Sequence, residues 1–367
     1  MIFNSADGQT SQVSLTQWLT AWLTDRTSTT QIQPYLEQQL LSHPLCAPIS
    51  GRTANTTAET IQDRLQQLRS LVPLLDAFCQ EEFGWETCPL DLLWNLWLPL
   101  AMQLAHWHQE LDHPLIQGIL GGQGTGKTTL TKILACILEQ MGLRVCRLSI
   151  DDLYKTYAER QQLQQNDPRF RWRGPPGTHD VQLGLAVLHQ IRHSAHSHDQ
   201  TSIAIPRFDK SLHNGAGDQT TPEIITGADI VLFEGWFIGV RPIDPTDFET
   251  APPPISSEAD RDFAREINTR LKEYLPLWEQ LDRLILLYPS DYRLSQQWRQ
   301  QAEQEMIASG KAGMSAAEVY EFVEYFWKSL HPKLFVEPMR LAAQFVDLVI
   351  EINADHHPER LYFPGDR

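Results

Sequence analysis

The stretch Gly121-Gly122-Gln123-Gly124-Thr125-Gly126-Lys127-Thr128, followed by Thr129, fits the spacing G-x-x-x-x-G-K-[ST]. Its glycines let the backbone turn N–H groups inward, and such a nest suits phosphate oxygens. The lysine of this pattern reaches the β- and γ-phosphates of a nucleoside triphosphate such as ATP, and the hydroxyl of Thr128 suits Mg²⁺. The flanks agree with the motif. An apolar run, Leu115 to Leu120, leads into it. Leu130, Ile133, Leu134, Ile137, Leu138 and Met141 mark one face of a helix that leaves it and ends at Gly142. The N-terminus of that helix adds partial positive charge for the phosphates.

Acids follow two later strands. Ser149-Ile150-Asp151-Asp152 ends the strand candidate Val145 to Ile150. In open α/β sheets ligand groups gather at the carboxyl ends of strands. A carboxylate there can accept the proton of a hydroxyl attacking a γ-phosphate. Aspartate is also a favoured N-cap, so one of the pair is expected to be catalytic and the other structural. Ile230 to Gly235 is a buried strand ending in Glu234, the place for a carboxylate that holds Mg²⁺ or its water.

Three segments suggest a second-substrate site. The first runs from Arg169 through Arg171, Trp172 and Arg173 to His179 and Asp180. The second is Pro206-Arg207-Phe208-Asp209-Lys210-Ser211. The third is Arg293 to Lys311, a helix carrying Arg299 and closed by Gly310. The 367 residues hold 30 Lys and Arg against 46 Asp and Glu, a net charge of −16. A chain so acidic needs local cations to hold ATP. Each segment also reads as a surface loop held by ordinary ion pairs.

The charge argues against nucleic-acid and anionic-membrane partners, because both affinities come from clustered Lys and Arg. The basic-aromatic run 169–173 is too short to reverse that argument. Five widely spaced cysteines without a C-x-x-C pair suit a reducing cytoplasm. The first 20 residues lack the pattern of a signal peptide, and no apolar stretch is long enough to span a membrane. His193, His196 and His198 have no spaced acidic or cysteine partner and read as a solvated loop. The Asn55-Thr56-Thr57 sequon reads as chance.

Around these residues the chain falls into a helical N-terminal region, 1–110, and an α/β domain, 111–367. In the first, Leu15, Trp18, Trp22 and Leu23 recur at helical spacing, as do Leu65, Leu68, Val72 and Leu75. Pro73 is expected to kink or break the second helix. Trp94, Trp97, Leu98 and Trp107 read as packing residues. In the second, strand candidates add Ser202 to Phe208, Leu284 to Tyr288 and Phe345 to Ile352. Strands alternating with helices imply a parallel sheet with helices on both faces. Ser315-x-x-Glu318 is a capping box before the stripe Val319, Phe322, Val323 and Phe326.

From about 113 to 353 the chain resembles the D-glycerate 3-kinases of plants and cyanobacteria. These belong to a wider P-loop kinase group with uridine kinase, phosphoribulokinase and bacterial pantothenate kinase. The resemblance rests, in order, on Gly121 to Thr129, Leu148 to Tyr154, Trp172 to Asp180, Ile205 to Ser211, Leu232 to Gly239, Trp298 to Glu303 and Ala312 to Ser315. It implies a P-loop fold and transfer of phosphate from ATP to D-glycerate, with Mg²⁺. Lys127 and Thr128 would bind the triphosphate and metal. Asp151 falls where the group keeps its catalytic carboxylate, Glu234 at its metal-associated acid, and Arg299 in its lid. Arg173, His179, Asp180, Arg207 and Lys210 match the glycerate-kinase pattern and, with Asp152, are expected at the acceptor. For the acceptor carboxylate Arg207 is the first choice and Arg173 the second. Other acceptors, a nucleoside or pantothenate, and a nucleotide-dependent switch without an acceptor remain open.

Overall fold

The computed structural model describes residues 14–50, 56–194, 202–308 and 313–366. His196, His198, Asn55, Gly310, Lys311 and Ala312 lie outside them. The chain forms two compact units, Met1–Leu104 and Ala105–Arg367.

The first unit is helical. Its longest helix, Thr57–Phe83, starts from the capping box Thr56–Glu59 and buries Leu65, Leu68, Leu71 and Leu75. It continues through Pro73 instead of breaking there. Pro73 is exposed, so the lost N–H bond and the ring fall on the solvent side and the buried stripe is continuous. Trp94, Trp97 and Leu98 are buried.

In the second unit, described strands form a six-stranded sheet in the order β2-β5-β1-β6-β7-β8. They are β1 (Leu115–Gly121), β2 (Val145–Ser149), β5 (Ile230–Gly235), β6 (Arg283–Pro289), β7 (Leu348–Ile352) and β8 (Pro358–Tyr362). All neighbours are parallel except β7 and β8. Every residue of β1 is buried, as a central strand covered on both faces requires. In register, Ser149 lies beside Glu234 and Glu234 beside Ile119. The carboxyl ends of β2, β5 and β1 are therefore level, which brings Asp151, Glu234 and the Gly-rich loop to one edge.

One strand departs from the sequence expectation. Ile203–Asp209, β3, is not in the parallel sheet. It pairs antiparallel with β4, Asp218–Ile225, as a separate two-stranded ribbon. Ile203 and Ile205 sink into the core while Ala204 faces solvent, so the ribbon is buried on one face only. β4 is largely exposed and carries no apolar alternation that would reveal it. Among the described residues, no helix is long and apolar enough to cross a membrane.

Candidate active site

The loop after β1 is shaped by its backbone. Gly124 (φ 79°) and Gly126 (φ 81°) occupy the left-handed region, where a side chain would be strained. At Gly124 there is also no room: a Cβ would lie 2.7 Å from that of Trp298. Trp298 stacks on His356 at 4.4 Å, and the ring Nδ1 of His356 sits 2.9 Å from the Gly124 carbonyl. Lys127 Nζ crosses the loop to donate to the Gly122 carbonyl at 2.9 Å. Burial pushes its pKa down, while Glu234 and Asp151 oppose that shift. Gly126 is the N-cap of the helix Lys127–Gln140. Thr128 Oγ1 donates to Glu234 Oε1 at 2.9 Å.

That hydroxyl–carboxylate pair is a hard-oxygen donor set. Among the described residues, no group of three His, Cys, Asp or Glu side chains is placed to hold a metal. The combination fits Mg²⁺, which keeps several waters and is bound through one or two carboxylates and substrate phosphates.

Asp151 and Asp152 are adjacent and differ completely in use. Asp152 closes a capping box, its carboxylate accepting from the Ser149 N–H at 2.9 Å and from Arg207 at 3.1 Å. Burial raises its pKa. Asp151 meets Lys210 Nζ at 2.5 Å and accepts a hydrogen bond from the Tyr154 hydroxyl. Burial works to raise its pKa, but Lys210 and Tyr154 outweigh burial and hold the carboxyl below its usual range.

His179 is 2% exposed and stacks on Tyr154 at 4.5 Å. Burial drives its pKa down to about 3, so the ring is neutral. The Tyr274 hydroxyl accepts from the Gly177 N–H at 2.9 Å and lies 2.8 Å from His179 Nδ1. His179 Nε2 is a buried atom without a partner among the described residues.

Three expected acceptor residues are engaged elsewhere. Asp180 caps the helix Val181–Ser194, its Oδ1 accepting from the Leu183 N–H at 2.9 Å, so it is a helix-capping group instead of an acceptor ligand. Arg207 spends its guanidinium on Asp152, on Glu223 at 2.6 Å and on the Arg147 carbonyl at 3.1 Å. Strand parity explains the difference from the expectation. Phe208 meets Tyr154, and Lys210, two residues on, meets Asp151, so Arg207, the residue before Phe208, faces the other way. Asp152 is tied to that same Arg207 and to the Ser149 backbone. Arg173 donates to the Gly215 carbonyl at 2.6 Å and lies 5.9 Å from the Tyr154 ring centre.

In the helix Leu294–Ala308, Trp298 and not Arg299 packs on the Gly-rich loop. Arg299 pairs with the buried Glu303 at 2.5 Å and lies over Phe322. Glu303 also accepts from the Met314 N–H, which ties this helix to the Gly313-Met314-Ser315 segment. Arg293 is paired with Asp291. Sequence reasoning missed Tyr154, Tyr274 and Arg160. Tyr154 follows Asp151 by three residues in a quoted segment, a usable signal. Arg160 and Tyr274 carry none.

No family model matches the chain. It is 30% identical to the chloroplastic D-glycerate 3-kinase of Arabidopsis thaliana over 256 residues, which are 67% of this chain and 54% of that protein. The match thus spans about half the plant protein's length. It is 31% identical over 224 residues to the uncharacterized kinase mug58 of Schizosaccharomyces pombe, covering 58% of this chain and 78% of that one. Among solved structures, D-glycerate 3-kinase from Cryptococcus neoformans var. grubii superposes with a TM-score of 0.64 at 28% identity, over 72% of this chain and 96% of that chain. The Gly-rich loop, the level acids at the sheet edge and these similarities together make the chain a member of the P-loop kinase family that includes the D-glycerate 3-kinases.

Proposed function

We propose that the protein transfers the γ-phosphoryl group of ATP to the primary hydroxyl of D-glycerate, giving ADP and 3-phosphoglycerate. The observation that carries this reading is Asp151: a carboxylate at the sheet edge, held ionised by Lys210 and Tyr154, level with the Thr128–Glu234 pair. Loop N–H groups and Lys127 would hold the β- and γ-phosphates. Thr128 and Glu234 would hold Mg²⁺, which offsets phosphate charge when bound. Asp151 would orient the acceptor hydroxyl and take its proton. Lys210, already on Asp151 and close enough to Lys127 to lower its pKa, is suited to follow charge onto the transferring group. Arg299 would have to leave Glu303 to act as a lid cation. We assign this chemistry to residues 111–367 and none to residues 1–110. The wide spacing of the cysteines at 46, 79, 88, 136 and 146, without a C-x-x-C pair, agrees with a cytoplasmic, reducing location.

Coupled ADP release with a panel of acceptors tests the reading. D-glycerate should stimulate release strongly, and uridine and pantothenate weakly. Stimulation by a nucleoside instead would move the acceptor. ATP turnover indifferent to every acceptor would favour a nucleotide switch.

A further inference from the structure

Among the arginines of the second unit, Arg144, Arg169, Arg171, Arg192, Arg207 and Arg265 each pair with a carboxylate. Arg160 and Arg173 are different. Arg160 donates to the Lys155 carbonyl at 3.0 Å, to Ala216 at 2.8 Å and to Gly217 at 2.5 Å. Arg173 donates to Gly215 at 2.6 Å. Neither has an ion pair among the described residues. Two guanidiniums thus sit on three successive carbonyls of the β3–β4 turn. They lie 5.3 and 5.7 Å from the centre of one ring, Phe208. Both line a cavity of about 280 Å³ with Trp172 and Thr178. Burial, and then the charge of Arg173, lowers the pKa of Arg160. Asp218, the acid nearest in effect, already accepts from the Tyr157 and Gln219 N–H groups. Arg160 donates from all three of its nitrogens, whereas Arg173 donates to a carbonyl from Nη1, so in a chain of net charge −16 the Nε–Nη2 edge of Arg173 is the planar fork that matches a carboxylate, with Arg160 beside it as a second cation.

We propose that Arg160 and Arg173 seat the carboxylate of the acceptor, and that this anchoring selects the hydroxyl at its far end. The proposal rests on the kinase reading above. Arg173 faces the ring of Tyr154, whose hydroxyl bonds Asp151, and Lys127 lies on the phosphate side of the same carboxylate. Tyr154 thus links Arg173 on its ring face to Asp151 at its hydroxyl, and Asp151 in turn acts on Lys127 of the phosphate loop. A three-carbon hydroxy acid anchored by its carboxylate keeps its C2 hydroxyl near the arginines and extends C3 toward Asp151. Anchoring thus supplies both the preference for an acid and the choice of the primary hydroxyl.

The test is steady-state kinetics on the full chain, with D-glycerate and with glycerol, which replaces the carboxylate by a second hydroxymethyl group. Arg173→Met should raise KM for D-glycerate roughly 10- to 100-fold, the range set by losing charge-assisted hydrogen bonds. KM for ATP should move by less than about twofold. The wild-type preference for D-glycerate over glycerol should shrink by the same factor. Arg173→Lys keeps the charge and loses the fork, so it should show a smaller rise in the same constant. It also covers the case in which Arg173→Met fails to fold. A glycerate-active wild type with unchanged KM for D-glycerate in a folded variant overturns this assignment alone. A wild type without glycerate-dependent ADP release overturns the acceptor reading and this assignment together.

Discussion

The phosphate loop and the β3–β4 ribbon gather cations by opposite means. In the loop the shape belongs to the backbone: left-handed Gly124 and Gly126, a helix start, and a single lysine laid across it. At the ribbon the cations are side chains from two separate segments, held by the carbonyls of a turn and by one aromatic ring. Backbone cradles are nearly indifferent to what lies outside the triphosphate. Side-chain cradles can be re-aimed one residue at a time. On the proposed reading the difference teaches where specificity resides: the donor site is set by the fold, and the acceptor site by a few side chains packed on the turn of a ribbon outside the sheet.

The strongest test of that contrast is on the loop. Lys127→Ala should lower kcat by roughly 10³-fold, because a preorganised cation at the transferring phosphoryl is removed. Thermal unfolding should be unchanged within error, since among the described residues the hydrogen bond of Lys127 is to a single loop carbonyl. Normal turnover in the folded variant would remove the phosphate-loop assignment. At the seam between the halves, Asp151→Asn should cost about 10²–10⁴ in kcat, the usual contribution of a general base. KM for ATP should change little. A larger kcat loss in Asp152→Asn would exchange the roles of the two aspartates.

The same contrast decides what the sequence could reveal. Gly121 to Thr129 is contiguous, and its neighbours Leu115 to Leu120 and Leu130 to Leu138 carry strand and helix periods, so one half of the site is legible in the order of the residues. Asp151 and Glu234 are legible because they close apolar runs that must be strands. The ribbon is not, because β4 is exposed and polar and leaves no pattern. Without β4 there is no way to see that β3 leaves the sheet, nor that Phe208 and Lys210 share the face opposite Arg207. Asp180 misleads for a different reason: a carboxylate before a helix fits a cap and a ligand equally well. Arg160 stands in a polar helix with no buried residue, and only the fold brings it to the turn.

Arg207 sharpens the comparison, because it lies on the ribbon and is anchoring instead of binding. Arg207→Gln leaves Asp152, which is 16% exposed, and Glu223 without their cation. The expected cost is about 1–3 kcal/mol, weighted toward the low end because Glu223 is well solvated. It should appear as a lower urea midpoint with an unchanged m-value. KM for D-glycerate should stay near that of the wild type. A tenfold rise in that KM at full stability would return Arg207 to the acceptor.

The smallest effect is a proton cost in the wall behind Asp151. The pKa of His179 is driven from an ordinary value near 6.5 to about 3 by burial, and that of His331 to about 4 by the same cause. Both are lowered on folding, so between these values the unfolded chain binds more protons than the native one. Stability from keeping each ring neutral is fully present above pH 6.5 and is lost as pH falls toward the folded value. Each contributes a slope of up to about 1.4 kcal/mol per pH unit in that window. Urea titrations at pH 7.5, 6.5 and 5.5 should therefore give falling stability. His179→Gln keeps a hydrogen-bonding group for the Tyr274 hydroxyl and has nothing to titrate, so its curve should be flatter by about one proton's worth below pH 6.5. Parallel curves for variant and wild type would mean that His179 is not held neutral. The aromatic wall of His179, Tyr154 and Tyr274 would then be wet, and Lys210 and Tyr154 would have less desolvation to overcome in holding Asp151 low.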